Sequence, residues 1–106
     1  MGKIYTFDDK LLTEKPVIRI KDIDFVIDDR KKTLDLAQER IKERSAGVPE
    51  EEVFIRTIFG EEQYKQLESL NLSVSAYIEL ALYVHAAMFD LTIEEARRRF
   101  RGADQQ

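Results

Sequence analysis

The sequence predicts an α+β domain, mostly α: a small N-terminal antiparallel β-hairpin packed beside a bundle of four or five helices. Three observations predict it. Residues 17 to 27 alternate apolar and polar side chains in two short runs, the period of a half-buried strand. Val74 to Phe89 is the longest apolar run, and Ser75, Glu79 and His85 are its only clearly polar residues. From Asp28 onward, cap residues, a proline and glycines recur at helix-length intervals. At 106 residues the chain suits one domain, 1-106, with a β-rich part (1-28), a helical part (29-101) and a flexible tail (102-106).

Taken in order, Lys3 to Phe7 is a β-favouring run ended by Asp8-Asp9, so Ile4 marks a candidate third strand. In the hairpin, Ile18, Ile20, Ile23, Phe25 and Ile27 form one apolar face, with the turn at Lys21-Asp22. A lone hairpin is marginal in water, so a helix or a partner chain must cover that face. Asp28 or Asp29 then caps a helix from about Arg30 to Arg44, ended at Gly47, with a thin apolar stripe of Leu34, Ala37 and Ile41. Pro49 and Glu50 to Glu52 start the next helix, because proline suits a first turn and acids oppose the positive helix end. Its broad face of Phe54, Ile55, Ile58 and Phe59 is interrupted by Gly60. Tyr64, Leu67 and Leu70 continue it to a stop near Asn71.

Ser73 is the expected N-cap of the apolar helix, with Leu72 stapled onto Tyr77. A helix apolar all round is normally central and buried. Val74 to Phe89 would be about 24 Å long, short of the roughly 30 Å of a membrane core, so a transmembrane reading is rejected. After a corner at Asp90-Leu91, Thr92 and Glu95 form a capping box that starts a short helix ending in Arg97, Arg98 and Arg99.

Composition narrows the function classes. With 43% hydrophobic and 36% charged residues the chain can build a core and keep solvated faces, so a soluble protein is expected. A net charge of -4 argues weakly against general nucleic-acid binding and leaves room for a local basic patch. The absence of cysteine removes disulfides, thiol nucleophiles and thiolate metal sites, and the N-terminus lacks a signal-peptide pattern, which makes the cytoplasm the expected compartment. The acid clusters Glu50 to Glu52, Glu61-Glu62 and Glu94-Glu95 sit where helices begin, which accounts for them without acid-base chemistry. Asp22, Asp24, Asp28 and Asp29 are interleaved with apolar residues and lack the glycine of a calcium loop. His85, the single histidine, lies on an apolar helix and reads as a packed or partner-facing residue. No catalytic residues, cofactor or metal site are therefore assigned, and the expectation is a non-enzyme.

What remains is association. The hairpin face, the Phe54 to Phe59 face and the Val74 to Phe89 helix offer more apolar surface than the 30-44 helix can cover, and such an excess usually means a partner. Tyr77, Tyr83, Phe89, Phe54 and Phe59 are the candidate partner-binding residues, because interface anchors are enriched in aromatics. The partner is either a second copy or another protein. The run Arg97-Arg98-Arg99-Phe100-Arg101 leaves a second reading open, a small regulator that contacts phosphate backbones.

The order of these segments, VIRIKDIDFVID, then IFGEEQYKQLESLN, then LSVSAYIELALYVHAAMFDLTIEEARRRF, resembles the tail assembly chaperones of long-tailed bacteriophages and prophage-derived tail clusters, over Val17 to Phe100. The resemblance implies a non-enzyme in the cytoplasm of an infected bacterium. It would bind the tape measure protein, keep it soluble, and help assemble tail tube subunits around it. Such chaperones also exist in a frameshifted long form associated with recruiting the tail tube protein; this chain is similar to the short form. A structural tail or capsid component is a further alternative.

Overall fold

A computed structural model describes residues 2-101; the 102-106 tail expected from the sequence lies outside the described residues. Its elements are α1 (Lys10–Thr13), β1 (Val17–Ile20), β2 (Ile23–Val26), α2 (Lys31–Glu43), α3 (Glu50–Glu68), α4 (Val74–Phe89) and α5 (Ile93–Ala96), the last continuing as a π-helical turn over Arg97–Arg101. The α+β, mostly α class is as expected.

β1 and β2 pair antiparallel, Ile18 opposite Phe25 and Ile20 opposite Ile23, around a turn in which Lys21 takes a positive φ of 56°. This register puts those four apolar residues on one face. β1 lies against α4 and β2 against α3, so the face that could not stand alone in water is covered from within the chain. Phe25 stacks on Phe59 with ring centroids 5.2 Å apart.

Lys3 to Phe7 is not a third strand in the single chain. It lies outside any helix or strand, is exposed, and is joined to nothing by hydrogen bonds among the described residues. Strand propensity alone cannot form a strand, because each needs an edge to pair with.

α2 also differs from expectation. Its N-cap is Arg30, whose side chain makes no capping bond, and neither Asp28 nor Asp29 occupies the cap position. Asp28 acts two residues before the cap, accepting from the Arg30 backbone N–H at 3.3 Å and from its guanidinium at 2.8 Å. The Arg30 guanidinium holds the Asp28 carboxyl well below the usual carboxylate range. The helix stops at Glu43, short of Gly47, because the Arg44 guanidinium donates to the Ile41 and Val48 carbonyls at 2.7 and 3.0 Å. Gly47, at φ 90°, lies in the turn that follows.

α3 begins after Pro49, which is its N-cap rather than its first helical residue, and Glu50 to Glu52 fill its first turn. At Gly60 the backbone leaves helical geometry (φ 80°, ψ 161°), splitting α3 into 50-59 and 61-68. The kink aims Gln63 at the hairpin. Its side-chain amide accepts from the Val26 N–H and donates to the Val26 carbonyl, each at 2.8 Å, which satisfies the end of the outer edge of β2 at Val26. α3 ends at Glu68, before Asn71, which takes a left-handed φ of 50°.

Ser73 caps α4 by accepting from the Ala76 N–H at 3.2 Å. At its other end Asp90 is left-handed (φ 54°) and the Leu91 N–H returns to the Ala86 carbonyl at 2.9 Å. α5 then leaves α4 at a bend of 109°. Thr92 Oγ1 accepts from the Glu95 N–H at 3.1 Å while the Glu95 carboxylate accepts from the Thr92 N–H at 2.9 Å, the reciprocal box expected from the sequence. Thr92→Ala is expected to cost about 1 kcal/mol, lowering the melting temperature by roughly 4 to 8 °C for a domain of this size. Thermal denaturation followed by circular dichroism checks it.

Among the described residues no single helix is long and apolar enough to cross a membrane.

Candidate interaction surface at the head of the fourth helix

α4 is two-sided rather than buried all round. Leu80, Ala81, Leu82, Val84 and Ala86 face the interior, whereas Val74 and Ile78 are 78% and 46% exposed. Length explains the exposure. Four-residue strands run about 13 Å, whereas the sixteen residues of α4 run about 24 Å. The hairpin therefore cannot cover the whole helix, and at its first turns Val74 and Ile78 stay exposed.

That exposed end meets the start of α3 in a groove of about 350 Å³. Pro49, Leu72, Val74, Tyr77 and Ile78 form its apolar lining, and Glu51 and Glu52 bring carboxylates to it. Leu72 and Tyr77 also pack on the core, in keeping with the staple expected at the start of the helix. The Tyr77 hydroxyl lies 3.1 Å from that of Tyr64, itself buried. Burial first, and then the Tyr64 hydroxyl, push the Tyr77 phenol far above its ordinary pKa, so the pair is neutral. Tyr77 is thereby a fixed, neutral wall of the groove.

The five aromatic candidates divide. Phe54 and Phe59 are each 5% exposed and belong to the core, so they present no surface to a partner. The 50-59 segment is covered because α2 packs along it while the hairpin meets its end at Phe59. Tyr77 is half-buried in the groove, and Tyr83 and Phe89 are exposed at 40% and 36%. Tyr83 is remote from the groove, near the ion pair of Arg97 with Glu79 (2.6 Å). Phe89 lies against Phe100, at 5.8 Å between centroids, with the Arg99 guanidinium over both rings. The structure thus brings only Tyr77 into the groove. Val74 and Ile78, exposed at 78% and 46%, went unmarked among the candidates, although their i, i+4 spacing beyond the reach of short strands was a usable signal.

His85 is a packing residue in this geometry. Its ring stacks on Phe54 at 4.3 Å and leans on Phe100 at 4.6 Å, tying α3, α4 and the π-turn together. Nδ1 is 2.7 Å from the Ala81 carbonyl, which can only accept, so Nδ1 carries a proton. The four hairpin acids do not converge: Asp24 pairs with Arg19 at 2.6 Å and Asp28 with Arg30 at 2.8 Å. The basic run is partly engaged within the chain, through Arg97 on Glu79 and Arg99 on the rings.

Compared with known protein families, curated proteins and solved structures, the chain matches none.

Proposed function

We propose that this protein is an assembly chaperone whose α4 groove holds an apolar segment of an aggregation-prone, largely helical partner, and that the partner is the tape measure protein of a long-tailed phage. The observation that carries the binding role is the exposed Val74 and Ile78 over an apolar groove with acidic neighbours. Exposed apolar grooves rimmed by polar groups mark protein interaction sites, and an amphipathic helix seats such side chains at i and i+4. The choice of partner rests on the resemblance of residues 17-100 to tail assembly chaperones. In this reading the protein is a non-enzyme without a cofactor, acting in the cytoplasm of the infected bacterium, and contact with the tail tube protein is secondary. The carboxylates of Glu51 and Glu52 beside the groove favour a basic or amphipathic protein segment over phosphate.

Co-expression with the tape measure protein of a long-tailed phage tests the proposal. A soluble complex that co-purifies is expected. A partner that stays insoluble, with no co-purification, contradicts it, and salt-dependent binding to duplex DNA would instead favour the regulator.

A further inference from the structure

Lys3 to Phe7 has strand chemistry without a strand partner. Ile4, Tyr5 and Phe7 are 91%, 87% and 67% exposed, and none joins the hydrophobic core. Lone exposed apolar residues are ordinary; three within four positions of one unpaired segment are a surface.

The two-stranded sheet has an edge with the matching need. In its register the backbone N–H and C=O groups of Val17 and Arg19 point away from β2. Nothing among the described residues hydrogen-bonds to them, whereas the equivalent groups of Val26 on the opposite edge are closed by Gln63. The side chains leave the edge clear, since Arg19 is drawn across the hairpin onto Asp24 at 2.6 and 3.1 Å. Beside the edge, one face carries the half-buried Ile18 and Ile20, and the other carries the exposed Val17 and Val26 pair next to the Arg19–Asp24 ion pair. Alternation along an added strand would place Ile4 and Thr6 on one face and Tyr5 and Phe7 on the other, so each face receives apolar contact.

We propose that the 3-7 arm pairs as a third strand with the β1 edge of a second copy of this chain, and that the exchange is reciprocal. A second copy is favoured because arm and edge coexist unpaired in the single chain, and a two-fold exchange satisfies both arms and both edges and closes the assembly. Four aromatic rings, Tyr5 and Phe7 from each copy, would alone cover about 600 to 1,000 Å². Their contacts on the opposing sheets bring the total into the range of stable dimers, roughly 1,200 to 2,000 Å². The inference does not depend on the groove or on the chaperone reading.

Sedimentation equilibrium of the full chain, compared with a Tyr5→Lys/Phe7→Lys variant and with Arg19→Pro, tests it. The arm is exposed, so the lysine variant keeps the fold; Arg19→Pro removes an outward-pointing N–H while sparing the β1–β2 ladder. A dimer for the full chain, monomers for both variants, and slow amide exchange at residues 3-7 only in the full chain are expected. Equal masses for the full chain and the lysine variant, whether both monomeric or both dimeric, would overturn the proposal. A monomeric full chain with protected arm amides would overturn it too, in favour of the arm folding back on its own edge.

Discussion

Leu80→Asp is expected to abolish the cooperative fold. Leu80 is 6% exposed at the middle of α4, in a cluster that includes Phe54, Ile55, Leu67, Ala81 and Val84. Removing the side chain forfeits roughly 2 to 5 kcal/mol of packing, and the new carboxylate must be buried without a partner or neutralised, at a further several kcal/mol. A typical domain has about 5 to 15 kcal/mol in total. The loss is global because this helix carries the contacts to α3, to β1 and, through Leu82 and Ala86, to Ala96 of α5. Loss of the melting transition is expected; a cooperative melt close to that of the unaltered protein would show that this face is not core.

Gly60→Ala should cost about 1 to 3 kcal/mol, the toll of a conformation that is essentially glycine-only. The pair φ 80°, ψ 161° lies in that region, while no atom stands within 4 Å of the position a Cβ would take. The strain is therefore in the backbone, and repacking neighbours cannot relieve it. The alternative for the alanine variant is to straighten α3 into one continuous helix, since alanine is the best helix former. That would swing 61-68 away, remove Gln63 from Val26 and expose Tyr64 and Leu67. A melting temperature lower by some 4 °C or more is expected, together with faster amide exchange at Val26. An unchanged melt would mean that the kink is not needed.

What was legible in the sequence was local. The Thr92-Glu95 box and the Ser73 cap depend on side chains three residues from the amides they bond, and the Lys21-Asp22 turn on two adjacent short runs. The misreadings were tertiary. The extent of α2 is within a residue of expectation, but Arg44 folding back on carbonyls marks its end, and Gly47 lies in the turn beyond. Gln63 reaches Val26 across 37 residues, and His85 joins Phe54 to Phe100 from three separate elements; no periodicity encodes either. Ile4 has the right propensity but no edge within its own chain. For the binding surface, aromatic content drew attention to Phe54 and Phe59, on which His85 and Phe25 stack, whereas the exposed anchors are aliphatic.

The central claim is that α4 divides its labour, holding the core with its inner face and a partner with its exposed head. Val74→Asp/Ile78→Asp measures this directly. Both positions are exposed, and an aspartate in the first turn at 74 is favourable to the helix, so the melting temperature should change little. Capture of the co-expressed helical partner should fall at least tenfold, because two carboxylates would then enter an apolar groove already flanked by Glu51 and Glu52. Undiminished capture by a variant that melts like the unaltered protein would contradict the account.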